Sequence, residues 1–84
     1  MNKSWTILEI IKWITSYFEE KGIKSARLDA ELLLSHTLNL KRIDLYVNYD
    51  RALDEEERAV LRSLVRRRAK REPLAYITGE KEFW

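Results

Sequence analysis

Apolar residues recur at helical spacing from Trp5 to about Lys21, which predicts a first amphipathic helix. Ser4 is placed to cap this helix and Gly22 to end it. The apolar positions cover an arc of about 220° around the helix axis, whereas one core-facing stripe needs little more than about 100°. The part of the apolar arc beyond one core-facing stripe must be covered by a second helix or by a partner. The simpler interpretation is that the first helix is central to a small bundle.

The arc of the first helix is centred near Ile14 and Ile7, with Trp13 and Tyr17 at one edge. Any part of that aromatic edge that the bundle leaves uncovered is available to a binding partner. Trp13 and Tyr17 are therefore candidate partner-binding residues.

Two further helical segments follow. The second helix is predicted from about Ala26 to Leu38, with Ser25 as its cap and Asn39 at its end. Its leucines spread around the axis, which indicates contacts on several sides. A short third helix is predicted over 42–48, although residues 46–49 are also compatible with an extended segment.

The fourth helix has the clearest signals. Asp54 followed by Glu57 forms a reciprocal capping pattern, and acidic residues open the helix while basic residues close it. The predicted buried face has helical spacing and comprises Val60, Leu61, Leu64, Val65 and Ala69. Pro73 stops the helix and starts a short turn, Leu74 to Thr78, which Gly79 closes.

These elements predict an all-α fold, a small bundle of about five helices. The chain has 84 residues, of which 45% are hydrophobic and 36% charged, which is the composition of one small globular domain. It has no cysteine, and no apolar run approaches the roughly 20 residues that span a bilayer. We therefore expect a soluble, cytoplasmic chain with no membrane partner.

Catalytic chemistry finds little support in the sequence. The single histidine, His36, lies in the middle of a helix, and the carboxylate pairs lie at helix ends, where capping or solvation explains them. Gly22 and Gly79 are isolated, so there is no glycine-rich phosphate loop. We expect no catalytic, cofactor-binding or metal-binding residue in these 84 positions.

A basic run closes the fourth helix. Arg62, Arg66 and Lys70 are spaced four residues apart and share one face, with Arg67 and Arg71 beside them. Three interpretations are open: a solvated helix end that matches the helix dipole, a contact with an acidic or RNA-associated protein, and direct binding of nucleic acid. The net charge of only +2 makes nucleic-acid binding the least favoured of the three.

Arg68 differs from its basic neighbours because it falls within the apolar arc of the fourth helix. A charge placed there is costly unless it is paired. We expect it to reach inward to Asp29, near the start of the second helix.

Two segments carry a family resemblance. The C-terminal pattern combines Arg68, Pro73, Leu74, Tyr76, Ile77, Gly79, Glu82 and Phe83. The earlier stretch 26–34, which includes Arg27 and Asp29, has compatible spacing. Together they resemble the HemK/PrmC family, the peptide chain release factor glutamine methyltransferases.

The resemblance implies an N-terminal helical domain, a linker and a larger methyltransferase domain. Such enzymes transfer a methyl group from S-adenosylmethionine to the glutamine of the Gly-Gly-Gln motif in class 1 release factors. Residues 1–79 would be the helical substrate-recognition domain, and residues 80–84 the start of the linker, with Phe83 and Trp84 in a frayed tail. The cofactor site and the catalytic residues would belong to the methyltransferase domain, which is itself a partner of this one.

Our first hypothesis is therefore a non-catalytic, release-factor-recognition domain. The resemblance leaves its binding face open, and the residues point to Arg66, Arg67, Lys70, Trp13 and Tyr17. Alternatives are a small basic module that binds nucleic acid, and a purely structural domain that orients the catalytic half.

Overall fold

The computed structural model describes residues 5–79 and shows five α-helices in the predicted order. The helices are α1 (Ile7–Glu20), α2 (Ala26–Leu38), α3 (Arg42–Val47), α4 (Glu55–Ala69) and α5 (Leu74–Thr78). Within that described part, β-type pairing is limited to one antiparallel bridge between Thr6 and Ala52. The all-α prediction is confirmed, and the third segment is helical through Val47, not extended.

The start of α1 differs from the prediction. Its cap is Thr6, whose hydroxyl accepts a hydrogen bond from the Glu9 backbone while the Glu9 carboxylate accepts one from the Thr6 backbone. Trp5 therefore precedes the helix, and Ser4 lies outside the described residues. The reciprocal bond explains the choice of Thr6, because it satisfies two backbone donors that an isolated helix start leaves unpaired.

The loop between α3 and α4 is fastened to the start of α1. The Ile7 backbone N–H donates to the Arg51 carbonyl at 2.9 Å, and the Leu8 N–H donates to the Tyr49 carbonyl at 3.0 Å. In return, the Leu53 N–H donates to the carbonyl of Trp5 at 2.9 Å. These bonds hold the first turn of α1 beside the approach to α4.

The centre of the bundle is α2, which packs against each of the other four helices. The prediction that α1 is central is wrong, whereas the spread of leucines around α2 correctly indicated contacts on several sides. Ser25 precedes α2 but makes no side-chain cap bond, and Asn39 closes the helix in a left-handed conformation. The core is built from fully buried side chains of several helices, chiefly Ile7, Ile11, Ile14, Phe18, Leu33, Leu34 and Leu45.

The start of α4 and both ends of α5 agree with the prediction, but α4 ends at Ala69, four residues before Pro73, so Lys70 and Arg71 follow the helix. The reciprocal cap between Asp54 and Glu57 is present, and Gly79 closes α5 with a φ of 75°. Val60 is an exception on the predicted buried face, because it is 48% exposed. Leu61, Leu64 and Val65 are buried, so the core-facing stripe is narrower than predicted.

Several sequence predictions lie outside the described residues. They concern the linker start at 80–84, including Glu82, Phe83 and Trp84. Between residues 5 and 79, no helix has both the length and the apolar character needed to cross a bilayer.

Candidate functional site

Asp29 and Arg68 form a buried link between α2 and α4, as predicted. The Arg68 Nε donates to Asp29 Oδ2 at 2.8 Å, and the two side chains are 20% and 5% exposed. Ser25 donates to the other oxygen of Asp29 at 3.1 Å, and Arg68 Nη1 donates to the Glu72 carbonyl at 3.0 Å. Both charges are thus paired within the domain. These two residues of the segments that resemble the family therefore stabilise the fold.

Glu31 forms a second buried link, between α2 and α3, which the sequence reasoning missed. Its carboxylate accepts hydrogen bonds from Arg27 Nε at 2.9 Å, from Arg42 Nη2 at 2.9 Å and from the Tyr46 hydroxyl. Burial alone raises the pKa of Glu31, but these hydrogen bonds outweigh it and hold the pKa below its ordinary value of 4.5. The four-residue spacing of Arg27 and Glu31 was the available signal.

The last arginines of α4 are also engaged within the domain. Arg67 donates through Nε to Glu72 at 3.0 Å, and this bond holds the pKa of Glu72 below its usual range. Arg71, with a φ of 73°, follows the helix and donates to the Lys21 carbonyl at 2.6 Å. Arg67 was predicted to meet a partner, and the structure shows its guanidinium already paired.

The other cations of α4 have a different environment. Arg62, Arg66 and Lys70 are exposed, and none forms a side-chain hydrogen bond or an ion pair with any residue between 5 and 79. They occupy the shared face that their spacing predicted. This row of unpaired cations can meet an acidic partner without disturbing the bundle.

The aromatic edge of α1 is partly open. Trp13 is 51% exposed, and its ring stacks on that of Tyr17 with centroids 5.6 Å apart and planes 2° apart. Tyr17 packs against the core, and the Lys21 ammonium lies 5.4 Å from its ring centroid. Of the two predicted aromatic contacts, Trp13 therefore offers more surface to a partner.

A groove separates α1 from α4, and we call it the α1–α4 groove. It arises because both helices pack mainly on α2 and make few direct contacts with each other. Its volume is about 250 Å³, and its lining comprises Trp5, Ile10, Trp13, Ile14, Arg58, Leu61, Arg62 and Val65. The groove brings the predicted aromatic edge next to two arginines of α4.

Arg58 is the residue of this groove that the sequence reasoning missed. Its Nε is shielded from solvent and forms no hydrogen bond with the described residues. The signal was present, because Arg58 lies one helical turn before Arg62. The predicted Arg66, Arg67 and Lys70 do not line the groove.

The remaining predicted residues serve the junction after α4. Pro73 precedes α5, Gly79 ends it, and the Tyr76 side chain between them is 74% exposed. A second hollow of about 410 Å³ lies between α2 and α5, and His36 is one of its lining residues. That lining contains no carboxylate, and no metal-binding cluster occurs among residues 5–79.

Comparison with known proteins gives a consistent result. The model of the PrmC N-terminal domain matches residues 9–79. A release factor glutamine methyltransferase of Geobacter sulfurreducens is 54% identical over 79 residues, which are 94% of this chain and 28% of the relative. A protein of the same name from Rhodopirellula baltica is 44% identical over 95% of this chain and 27% of its own length. The chain thus spans little more than a quarter of these relatives, and no solved structure matches it significantly.

Proposed function

The chain belongs to the PrmC N-terminal domain family, and from this premise we propose that it recognises the release factor for a glutamine methyltransferase. In this proposal the whole enzyme methylates the glutamine of the Gly-Gly-Gln motif in class 1 release factors. S-adenosylmethionine supplies the methyl group at a site outside these residues. The domain contributes binding and positioning, not chemistry.

The observation that carries the proposal is one exposed surface that combines an open aromatic edge with unpaired cations. Trp13 supplies apolar area, while Arg62, Arg66 and Lys70 supply positive charge without internal partners. Rigid attachment of such a surface to a catalytic domain raises the effective concentration of the bound substrate at the active site. A protein partner with an acidic surface fits this combination best.

The described residues do not fit S-adenosylmethionine, which supports placing the methyl donor elsewhere. The α1–α4 groove, at about 250 Å³, is smaller than the roughly 300–1,000 Å³ of small-molecule sites and has no acidic group for ribose hydroxyls. The larger hollow between α2 and α5 also lacks a carboxylate. Gly22 and Gly79 stand alone at helix ends and form no phosphate-binding loop.

The proposal is tested by adding the 84-residue chain in trans to a full-length relative, the Geobacter sulfurreducens enzyme. Excess chain should compete for an intact class 1 release factor and slow its methylation. Methylation of a short Gly-Gly-Gln peptide, which lacks the docking surface, should be unaffected. Inhibition of neither substrate would contradict recognition and favour a purely structural domain.

Charge reversal locates the surface. Arg66→Glu should weaken this competition about five- to tenfold, because a like charge then faces an acidic partner. Lys41→Glu makes the same change in net charge at the start of α3 and should leave the competition within about twofold. Equal effects of the two variants would argue against the α4 face.

Nucleic-acid binding predicts a different result. A steep loss of affinity for RNA or DNA with rising salt, starting from a micromolar Kd, would favour the basic-module hypothesis over release-factor recognition. We expect only weak binding, since the chain carries a net charge of +2.

A further inference from the structure

We propose that the α1–α4 groove receives one bulky apolar side chain from an acidic peptide segment, whose carboxylate pairs with Arg58 and Arg62. The inference deepens the proposed function. Assigning that segment to a release factor rests on the proposed function. It specifies the chemistry of the docking segment, which family membership alone leaves open.

The shape and the lining of the groove select the apolar part of the ligand. Its lining includes the aliphatic side chains Ile10, Ile14, Leu61 and Val65, which are buried. Two tryptophans complete the apolar lining, and their rings offer large contact areas at low conformational cost. A volume of about 250 Å³ suits one large side chain better than an extended organic ligand.

The electrostatics of the groove select the charged part of the ligand. The Arg58 Nε is buried without a hydrogen-bond partner in residues 5–79, and the groove lining contains two arginines but no carboxylate. A buried donor without a partner is destabilising, so a ligand that supplies an acceptor there gains affinity. A carboxylate satisfies the arginine by a charge-assisted hydrogen bond.

The groove is also formed before binding. The Trp5 carbonyl is bonded to the Leu53 backbone, and the first turn of α1 is bonded to the loop that leads into α4. Because these bonds hold one end of both helices in place, a ligand has little ordering to impose on the backbone. A phosphate group alone would pair with the arginines but leave the apolar lining empty, so a peptide fits better than a nucleic-acid backbone.

The test uses N-acetyl-tryptophan, which carries an indole beside a carboxylate, and N-acetyl-tryptophanamide, which carries the same indole without charge. Each is titrated into the ¹⁵N-labelled 84-residue chain and followed by NMR. We expect the anionic probe to shift the Trp13 indole N–H and the Arg58 Nε–H. Its Kd should be about fivefold lower than that of the amide, as for one exposed charge pair.

Matched variants separate the groove from general positive charge. Arg58→Gln should remove most of the preference for the anionic probe, because only Arg62 then faces the carboxylate. Arg66→Gln, on the same helix but outside the groove, should retain the full preference. Equal affinity for both probes would overturn the inference, as would shifts confined to other surfaces. Loss of the preference in Arg66→Gln but not in Arg58→Gln would also overturn it.

A release-factor arm distinguishes this inference from the proposed function. If the chain competes for an intact release factor but shows no preference between the probes, the groove inference alone fails. If the preference is present and depends on Arg58, but the chain does not slow methylation of the release factor, the proposed function fails and the groove chemistry stands. If both hold, Arg58→Gln should also weaken competition for the release factor.

Discussion

The arginines in and just after α4 fall into two groups, paired and unpaired. Near its C-terminal end, Arg67 and Arg68 are bonded to Glu72 and Asp29, and Arg71 reaches the end of α1. Earlier in the helix, Arg58 and Arg62 have no partner among the described residues and face the α1–α4 groove. Arg66, next to Arg67, is also unpaired among the described residues. Arginine therefore holds the bundle together where an internal acceptor lies within reach, and elsewhere it remains available to a ligand.

The difference depends on whether a carboxylate lies within reach. Asp29 and Glu31 project from α2, which is central, and they pair with arginines on its own surface and on the helices beside it. Among residues 5–79, no carboxylate lines the α1–α4 groove. Removal of a paired arginine should therefore change stability, whereas removal of an unpaired one should change only binding.

The largest expected effect follows from breaking the Asp29 link. Arg68→Ala leaves the Asp29 carboxylate, which is 5% exposed, with only the Ser25 hydroxyl as a side-chain partner. The free energy of unfolding should fall by about 2–4 kcal/mol, measured by urea denaturation. Arg62→Ala is the matched control on the same helix and should stay within about 0.5 kcal/mol of the parent chain. Equal losses in the two variants would contradict the distinction between paired and unpaired arginines.

The next effect concerns Glu31 and depends on pH. Glu31→Gln should cost about 1–3 kcal/mol at neutral pH, because a neutral amide then faces two arginines. The pKa of Glu31 is depressed in the folded state, so its contribution is present above its ordinary value of 4.5 and is lost as pH falls through the lower, folded value. Unfolding free energies at pH 6 and pH 3 should therefore differ more for the parent chain than for the variant. An identical pH dependence would argue against the Glu31 cluster.

A smaller effect tests the contact between Arg71 and the end of α1. Gly22 has a φ of 81°, and an added Cβ would lie 3.3 Å from Arg71 Nη2. Gly22→Ala should cost about 1 kcal/mol for the left-handed backbone and somewhat more for displacing that guanidinium. Gly79→Ala is the control, because its φ is 75° and its added Cβ would meet nothing within 4 Å. In an Arg71→Ala background the excess cost at Gly22 should disappear, and its persistence would contradict the contact.

The smallest effect on stability is expected at the groove itself. Trp13→Ala removes a half-exposed ring and its stack on Tyr17, so the free energy of unfolding should fall by only about 0.5–1.5 kcal/mol. The same variant should lose most of its affinity for N-acetyl-tryptophan in the NMR titration. A large loss of stability with unchanged probe affinity would place Trp13 with the structural residues instead.

Local signals explain which parts of the fold could be predicted. The bounds of α2, the reciprocal cap of α4 and the end of α5 at Gly79 all depend on residues close in sequence. The start of α1 was missed because Ser4 and Thr6 are both good caps, and only the reciprocal bond with Glu9 distinguishes them. That signal was in the sequence.

The arrangement of the helices explains what could not be predicted. One contact between helices was predictable: the pairing of Arg68 with Asp29 followed from the cost of placing a charge on an apolar face. The α1–α4 groove depends on how both helices pack on α2, which periodicity does not specify. The importance of Arg58 follows from that packing, since the groove it lines and the burial of its Nε are properties of the folded bundle.

The central claim is that the unpaired cations of α4 and the aromatic edge of α1 form the recognition surface. The most direct test is an NMR map of the ¹⁵N-labelled chain during titration with an unlabelled class 1 release factor. We expect the signals of Trp13, Arg58, Arg62 and Arg66 to shift or broaden first, while those around Glu31 stay unchanged. Perturbations centred on Glu31 and α3, or none at a saturating concentration of the factor, would contradict the account.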